Sequence, residues 1–190
     1  MEAKYLTSAE VARLRAVMDD ETWLVFWVML ETGLRVGDAV ALTRKNLRGD
    51  RIYYRAQKTG KRGSAAISPD LMKALKARGD GYLFKGRKND THLTRQAVWK
   101  RIKRACERAL LSGEGVSPHA MRKVFAVETF RERGMEATRE ALQHGSRDTT
   151  EIYAFSDWNT GEKKDIPLTR GDLKTIVGLV VKALSYHDKK

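Results

Sequence analysis

Cysteine, proline and long apolar runs are scarce in this 190-residue chain, which has one cysteine and three prolines. The single thiol, Cys106, excludes a disulfide-stapled scaffold and a cysteine-rich zinc site. The longest strongly apolar run, Trp23–Leu30, is too short to span a bilayer, and the first residues lack the pattern of a signal peptide. We therefore expect a cytoplasmic protein that does not associate with membranes.

The motifs by which many enzymes hold phosphates, cofactors or metals are also missing. Residues 58–61 lack the leading glycine of a Walker A loop, and residues 33–37 do not have the dinucleotide-binding spacing. The four histidines show no metal-ligand spacing, and no aspartate cluster indicates a two-metal nuclease. We expect neither a cofactor nor a metal ion, so any chemistry on phosphates has to be done by side chains.

Positive charge is abundant. The chain has 37 Lys and Arg against 24 Asp and Glu, a formal net charge of +13 and a pI near 10.0. This excess favours a polyanionic partner, with nucleic acid the leading candidate. The 42% hydrophobic content is enough to build a core, and the length fits one domain over residues 1–190.

Residue patterns predict a mostly α domain with a small antiparallel β-hairpin, an α+β fold. Thr7–Glu10 reads as a capping box that opens the first helix, and Gly33 ends the second. A short helix is predicted over Val36–Leu42, and two strands surround a turn at Lys58–Gly63. The strands are predicted at 51–57 and 64–68, and further helices at 69–78, 94–111, 118–133, 136–143, 148–155 and 172–185.

Phosphoryl transfer without a metal makes clear demands on side chains. The transition state carries extra negative charge on the non-bridging oxygens, which suits permanently charged, forked guanidinium groups. A nucleophilic oxygen has to lie in line, and a proton donor has to meet the leaving alkoxide. The sequence offers arginines at helix edges, nearby histidines, a lysine in a hairpin turn and a tyrosine towards the C-terminus.

Four segments, in this order, resemble the boxes of the tyrosine recombinase (phage integrase) family. Thr32–Leu42 is similar to its first arginine box, and Lys58 matches the lysine of its hairpin turn. His119–Arg122 is similar to its HxxR box, and Leu142–Tyr153 to its terminal box. The resemblance covers about residues 6–155 and implies the catalytic-domain fold of that family.

The resemblance implies site-specific DNA recombination or integration by metal-independent strand cleavage and rejoining. Tyr153 would attack the scissile phosphate, form a 3′-phosphotyrosyl link and release a 5′-hydroxyl. Arg35 and Arg122 would bind the non-bridging oxygens, with Lys58 as the general acid. The other implied site residues are His119, a proton-transfer group; His144, a hydrogen-bond partner of the phosphate; and Asp38, which would hold the arginine side of the site in place.

Some positions have a plain alternative. Lys58 shares its turn with other cationic residues, so an ordinary solvated turn would give the same pattern, and His119 alone would suit a helix cap or the core. The basic face of the 94–111 helix lies either against DNA or in solvent, and the net charge favours DNA. The role of Trp99, outside the apolar stripe of that helix, stays open. We expect the DNA-binding side chains to be Lys61, Arg62, Arg95, Lys100, Arg101 and Arg104.

The resemblance also implies an assembly. The partner would be double-stranded DNA. The protein would form a homotetramer on DNA and would be a monomer in solution. The N-terminal DNA-binding domain typical of the family is expected to be absent. Residues 156–190 would form a tail whose helix docks either on its own domain or on a neighbouring protomer. Two other functions stay open: DNA relaxation in the manner of a type IB topoisomerase, and DNA binding without cleavage by an accessory protein.

Overall fold

The computed structural model of the chain describes residues 3–88 and 90–142. The predicted helices at 148–155 and 172–185 lie outside the described residues, as do the predicted site residues His144 and Tyr153. No helix within the described ranges combines the length and apolar character needed to cross a membrane. The elements are α1 (Ser8–Val17), α2 (Asp20–Thr32), α3 (Val36–Val40), β1 (Leu47–Arg48), β2 (Arg51–Arg55), β3 (Arg62–Ala66), α4 (Pro69–Lys76), α5 (Arg95–Arg108) and α6 (Pro118–Leu142).

Side-chain caps set where the first two helices begin. The predicted capping box is present: the Glu10 backbone N–H donates to Thr7 Oγ1 at 3.3 Å, and the Thr7 N–H donates to Glu10 Oε2 at 3.0 Å. Asp19 caps α2, since its Oδ1 accepts the Thr22 N–H at 2.8 Å. Local sequence alone therefore determines both helix starts.

Helix α2 is the centre of the core. It is apolar on nearly every side, and it packs against α3, α4, α5 and α6. Trp23, Phe26 and Trp27 are all buried, which confirms that they are core residues rather than a stacking surface. The elements that carry the candidate site are thus arranged around one buried helix.

The sheet has three antiparallel strands in the order β1-β2-β3. The predicted hairpin is present as β2 and β3, although β3 begins at Arg62, two residues earlier than expected, because Arg62 pairs with Arg55. Strand β2 ends at Arg55, also two residues earlier than expected, so the connection is shifted to residues 56–61 and has the expected length. Strand β1 was not predicted, since its two residues, paired with Ile52 and Arg51, are too few to show a period.

Helix ends in the second half of the chain follow backbone geometry. Helix α5 begins after its predicted cap, Thr94, but ends at Arg108 and not near 111, because Leu110 adopts a left-handed φ of 52°. Helix α6 is interrupted at Gly134, where φ is 77° and ψ is −176°. The prediction of separate helical segments on either side of this glycine is confirmed.

Candidate active site

All five predicted catalytic residues in the described part of the chain line one cleft. The cleft has a volume of about 290 Å³ and opens between α3, the β2–β3 turn and the first turn of α6. Its lining includes side chains that are far apart in sequence, so the fold is what brings them together. The five are Arg35, Asp38, Lys58, His119 and Arg122.

Arg35 reaches the cleft because the chain changes direction after α2. Gly33 ends that helix in the left-handed conformation, with φ of 64°, and Arg35 then precedes α3 in an extended conformation. The Arg35 side chain is half-buried and lines the cleft. A guanidinium in this position is partly shielded from water, which strengthens its attraction for an anion.

Arg122, on α6, is only 5% exposed. One terminal nitrogen of its guanidinium donates to the Gly33 carbonyl, and the other donates to the Leu142 carbonyl at 2.6 Å. These bonds connect the end of α2 to the last described turn of α6. A buried cation needs such partners, and they also fix its guanidinium at the edge of the cleft before any ligand binds.

Gly33 cannot be replaced without cost, because two constraints coincide there. Its positive φ disfavours any side chain, and a Cβ at this position would lie 2.3 Å from Cδ1 of the Phe125 ring. Phe125 is one turn beyond Arg122 on α6. The same stretch of α6 therefore meets Gly33 twice, through the Phe125 ring and through the Arg122 guanidinium.

Asp38 connects α3 to the turn that carries the candidate lysine. Its buried carboxylate accepts the Gln57 backbone N–H at 2.8 Å, and the Gln57 side chain donates to the Gly37 carbonyl at 3.2 Å. Both bonds involve the residue immediately before Lys58. The family resemblance implied support for the arginine side, whereas the contact in the structure holds the lysine turn.

The structure separates the three cations of the β2–β3 connection. Lys58 lines the cleft with the two arginines. Lys61 and Arg62 instead line a neighbouring groove of about 1090 Å³, between β3 and the far half of α6. Their chain positions differ by only a few residues, but only Lys58 shares a space with the other candidate catalytic groups.

His119 is the second residue of α6 and its side chain reaches solvent at the cleft, so it is not a core residue. Partial burial disfavours the charged form of the His119 imidazole, and the positive charges of Arg122 and Arg35 repel it. Both effects hold the pKa of His119 below its usual range. The imidazole is therefore neutral at pH 7. In this form it can accept a proton, and it does not add a third cation beside the two guanidiniums.

The order of these side chains along the sequence matches a known family. The sequence profile of the phage integrase family covers residues 4–159. The chain belongs to this family. The integrase of Escherichia phage P2 is 29% identical over 154 residues, which cover 80% of this chain and 43% of the phage protein.

Solved structures of integrases have the same fold. The catalytic domain of bacteriophage HP1 integrase gives a TM-score of 0.66 at 24% identity, covering 81% of this chain and 88% of that one. A lambda integrase tetramer bound to a Holliday junction gives 0.71 at 20% identity, covering 87% and 52%. The expected tyrosine recombinase catalytic-domain fold is thereby confirmed. This integrase-family chain spans about half the length of the curated relatives it matches.

Sequence reasoning missed Gln57, which lines the cleft of this integrase-family site, and Tyr54, which lines the neighbouring groove. Gln57 contributes both its backbone and its side chain to the link described above. Tyr54 is half-buried on β2; burial raises the pKa of its phenol, against the opposing effect of the Arg122 and Arg35 charges. The alternation of β2 offered a signal, because Tyr54 is two residues after the buried Ile52 and so lies on the same face.

The expected DNA-binding residues of α5 lie in different places. Arg95 lines the cleft and packs beside Gly37, since a Cβ added at Gly37 would lie 3.4 Å from the Arg95 Cδ. Lys100 and Arg104 are exposed. The Arg101 guanidinium instead pairs with Glu21 at 2.7 Å and is held against the protein, so it is not part of the proposed DNA surface.

Metal-binding groups do not cluster within residues 3–88 and 90–142. No three His, Cys, Asp or Glu side chains there lie close enough to hold an ion. The charged groups that meet at the described cleft are three arginines, a lysine and an aspartate, with a histidine beside them. Such a set suits a phosphate anion, because guanidinium and ammonium groups donate hydrogen bonds that phosphate oxygens accept.

Proposed function

We propose that this chain is the catalytic domain of a site-specific DNA recombinase that cleaves and rejoins strands through a covalent intermediate on Tyr153. The observation that carries the proposal is the meeting of Arg35, Lys58, His119 and Arg122 at one cleft of an integrase-family fold. The reaction would need neither a metal ion nor a nucleotide. The phosphotyrosyl bond conserves the energy of the phosphodiester it replaces.

The two guanidiniums would bind the scissile phosphate. Arg122 is held by backbone carbonyls, so its guanidinium needs little rearrangement when the phosphate enters, and Arg35 is directed to the cleft by its backbone position before α3. Preorganised donors of this kind stabilise the charge that develops on the non-bridging oxygens in the transition state. Removing one such donor from an enzyme typically lowers the rate about 10²–10³-fold.

Proton transfer would be divided between His119 and Lys58. The neutral imidazole would accept the phenolic proton as the Tyr153 oxygen forms its bond to phosphorus. The bond between phosphorus and the 5′-oxygen breaks, and the Lys58 ammonium would give its proton to that oxygen. Atoms and charge balance, with the 3′-phosphate joined to tyrosine and a free 5′-hydroxyl released.

The partner would be duplex DNA in the cytoplasm, bound by four copies of the protein. The lambda integrase structure is described as a tetramer on a Holliday junction, and this chain shares its fold. The net charge of +13 supports a polyanionic partner. His144 would add a hydrogen bond to the phosphate from the segment that also carries the nucleophile.

Covalent trapping tests the proposal. The protein is incubated in EDTA with fragmented genomic and mobile-element DNA, denatured in SDS, and examined for protein-linked DNA. We expect an adduct with the unaltered protein and none with Tyr153→Phe. Tyr186→Phe is the matched control, since it removes another C-terminal tyrosine and should leave the adduct intact. An adduct that persists in Tyr153→Phe would contradict the assigned nucleophile.

A further inference from the structure

Trp99 is a large aromatic side chain that the proposed site does not use. It is 47% exposed, whereas Trp23 and Trp27 are 6% and 7% exposed. A single exposed apolar side chain needs no special explanation, but an indole combines a large apolar face with a polar N–H, and this combination suits a contact surface. Its position on α5 indicates what would cover it.

Helix α5 has two distinct cationic flanks. Residues four apart lie on nearly the same face of a helix, so Arg95, Trp99 and Lys103 form one row. The opposite flank lines a separate cleft of about 360 Å³, where part of its charge is paired with Asp19 and Glu21. The buried stripe lies between the two flanks. The opposite flank consists of Arg101, Arg104 and Arg108.

The row that contains Trp99 begins at the active-site cleft. Arg95 lines that cleft together with Arg35, Lys58 and Arg122. Trp99 follows one turn later, about 6 Å further along the helix axis at 1.5 Å per residue. The indole of Trp99 therefore lies about one helical turn from a residue that lines the proposed phosphate site, within the reach of a bound duplex.

The surroundings of Trp99 are cationic. The Lys103 ammonium lies 5.6 Å from the centre of the indole and also donates to the Gly113 carbonyl, which fixes it beside the ring. Lys100 is exposed on the next position. Helix α5 has six Lys or Arg and one Glu. An apolar plate inside a positive field complements a nucleic acid, whose sugars and base methyls are apolar and whose phosphates are anionic.

We propose that Trp99 packs its indole against the substrate duplex beside the cleaved phosphodiester and contributes both affinity and sequence preference. This inference rests on the proposed function, since it takes the cleft as the place of the scissile phosphate. The contact is with sugar or base surface and not with phosphate. Trp99 is therefore a binding residue that acts without charge, next to the charged contacts of Arg95 and Lys100.

The test compares Trp99→Ala and Trp99→Phe with the unaltered protein. The probe is a fluorescein-labelled 30-base-pair duplex pool of randomised sequence, and the dissociation constant is measured at several salt concentrations. We expect Trp99→Ala to weaken binding about tenfold, because the indole would bury a large apolar area against the duplex, and Trp99→Phe to retain part of the affinity. The slope of log K against log salt should stay unchanged for both variants, because no cation is lost.

Leu110→Ala is the matched control, since Leu110 is an apolar side chain, 85% exposed, beyond the end of α5. It should bind the pool as the unaltered protein does. Sequencing of the bound pool should show a weaker base preference for Trp99→Ala. Binding within twofold of the unaltered protein, with the same base preference, would overturn the inference, and it is the result expected if the indole contacts only another protein.

Failure of this inference and failure of the proposed function are distinguishable. If the unaltered protein forms the Tyr153 adduct but Trp99→Ala binds normally, the inference is wrong and the proposed function stands. If Trp99→Ala weakens duplex binding but the unaltered protein forms no adduct, the DNA contact stands and the proposed chemistry is wrong. Thermal unfolding should be nearly unchanged in Trp99→Phe, because the side chain is half exposed.

Discussion

Replacing Asp38 with alanine is expected to disable Lys58, the proposed proton donor, rather than the arginines proposed to bind the phosphate. The Asp38 carboxylate is 6% exposed and accepts the Gln57 backbone N–H at 2.8 Å, directly before Lys58. Alanine removes that bond. Hydrogen bonds to charged groups contribute about 1.5–3 kcal/mol, and because Gln57 can regain a water molecule we expect a loss of about 1–2 kcal/mol in the free energy of unfolding.

The kinetic consequence should exceed the loss of stability. A displacement of about 1 Å in a catalytic group costs on the order of 10²-fold in rate, so single-turnover cleavage by Asp38→Ala should fall by about that factor. Asp38→Asn keeps an oxygen acceptor for the Gln57 N–H and should be milder in both measurements. Asp80→Ala, which removes an exposed aspartate away from the cleft, is the control and should change neither.

A sulfur leaving group tells the two possible roles of Asp38 apart. The substrate is the duplex recovered by trapping, with sulfur in place of the bridging 5′-oxygen at the cleaved bond. A thiolate departs without a proton, so this substrate should restore most of the rate to Lys58→Ala and to Asp38→Ala, but not to Arg122→Ala. If Asp38→Ala stays as slow on the sulfur substrate as on the ordinary one, Asp38 acts through the arginine side and our reasoning is refuted.

Two further predictions concern the glycines and the histidine. Gly33→Ala should lower the free energy of unfolding by about 2–4 kcal/mol, because of the left-handed φ and the contact with Phe125. Gly37→Ala should be tolerated, because a Cβ there would lie 3.4 Å from its nearest neighbours. Equal stabilities of the two variants in urea would contradict this. The NMR titration midpoint of His119 should lie below about 6.5, and Arg35→Gln should raise it in part. As the pH falls, the unfolded chain takes up this proton before the folded chain does, so His119 should make stability fall as the pH drops below about 6.5. A titration midpoint above that value would show that burial and the two arginine charges do not control the pKa of His119.

Much of the architecture could be predicted because the signals are local. The capping box at Thr7, the caps at Asp19 and Thr94 and the helix end at Gly33 depend on residues within one turn of each other. The interruption at Gly134 likewise follows from one residue. The order of the arginine, lysine and histidine boxes was sufficient to indicate the family.

The remaining features depend on contacts between distant residues. The pairing of Arg101 with Glu21 joins positions eighty residues apart, and no periodicity in α5 marks that arginine as different from its neighbours. The Asp38 contact uses a backbone N–H, which every residue except proline has, so no side-chain pattern could indicate Gln57. Lys58 lines the cleft and Lys61 lines the neighbouring groove because of the path of the turn, and since both are lysines the residue type could not distinguish them.

Strand exchange between two DNA sites tests the central claim most directly. Two supercoiled plasmids of different length, each carrying the trapped sequence, are incubated with the protein in EDTA without nucleotide, and the products are separated by size and topology and their junctions sequenced. We expect recombinant products from the unaltered protein, none from Tyr153→Phe, and a free 5′-hydroxyl with a 3′-phosphate on Tyr153 in the quenched intermediate. Relaxed circles without recombinants, or cleavage that requires a metal ion, would contradict the account.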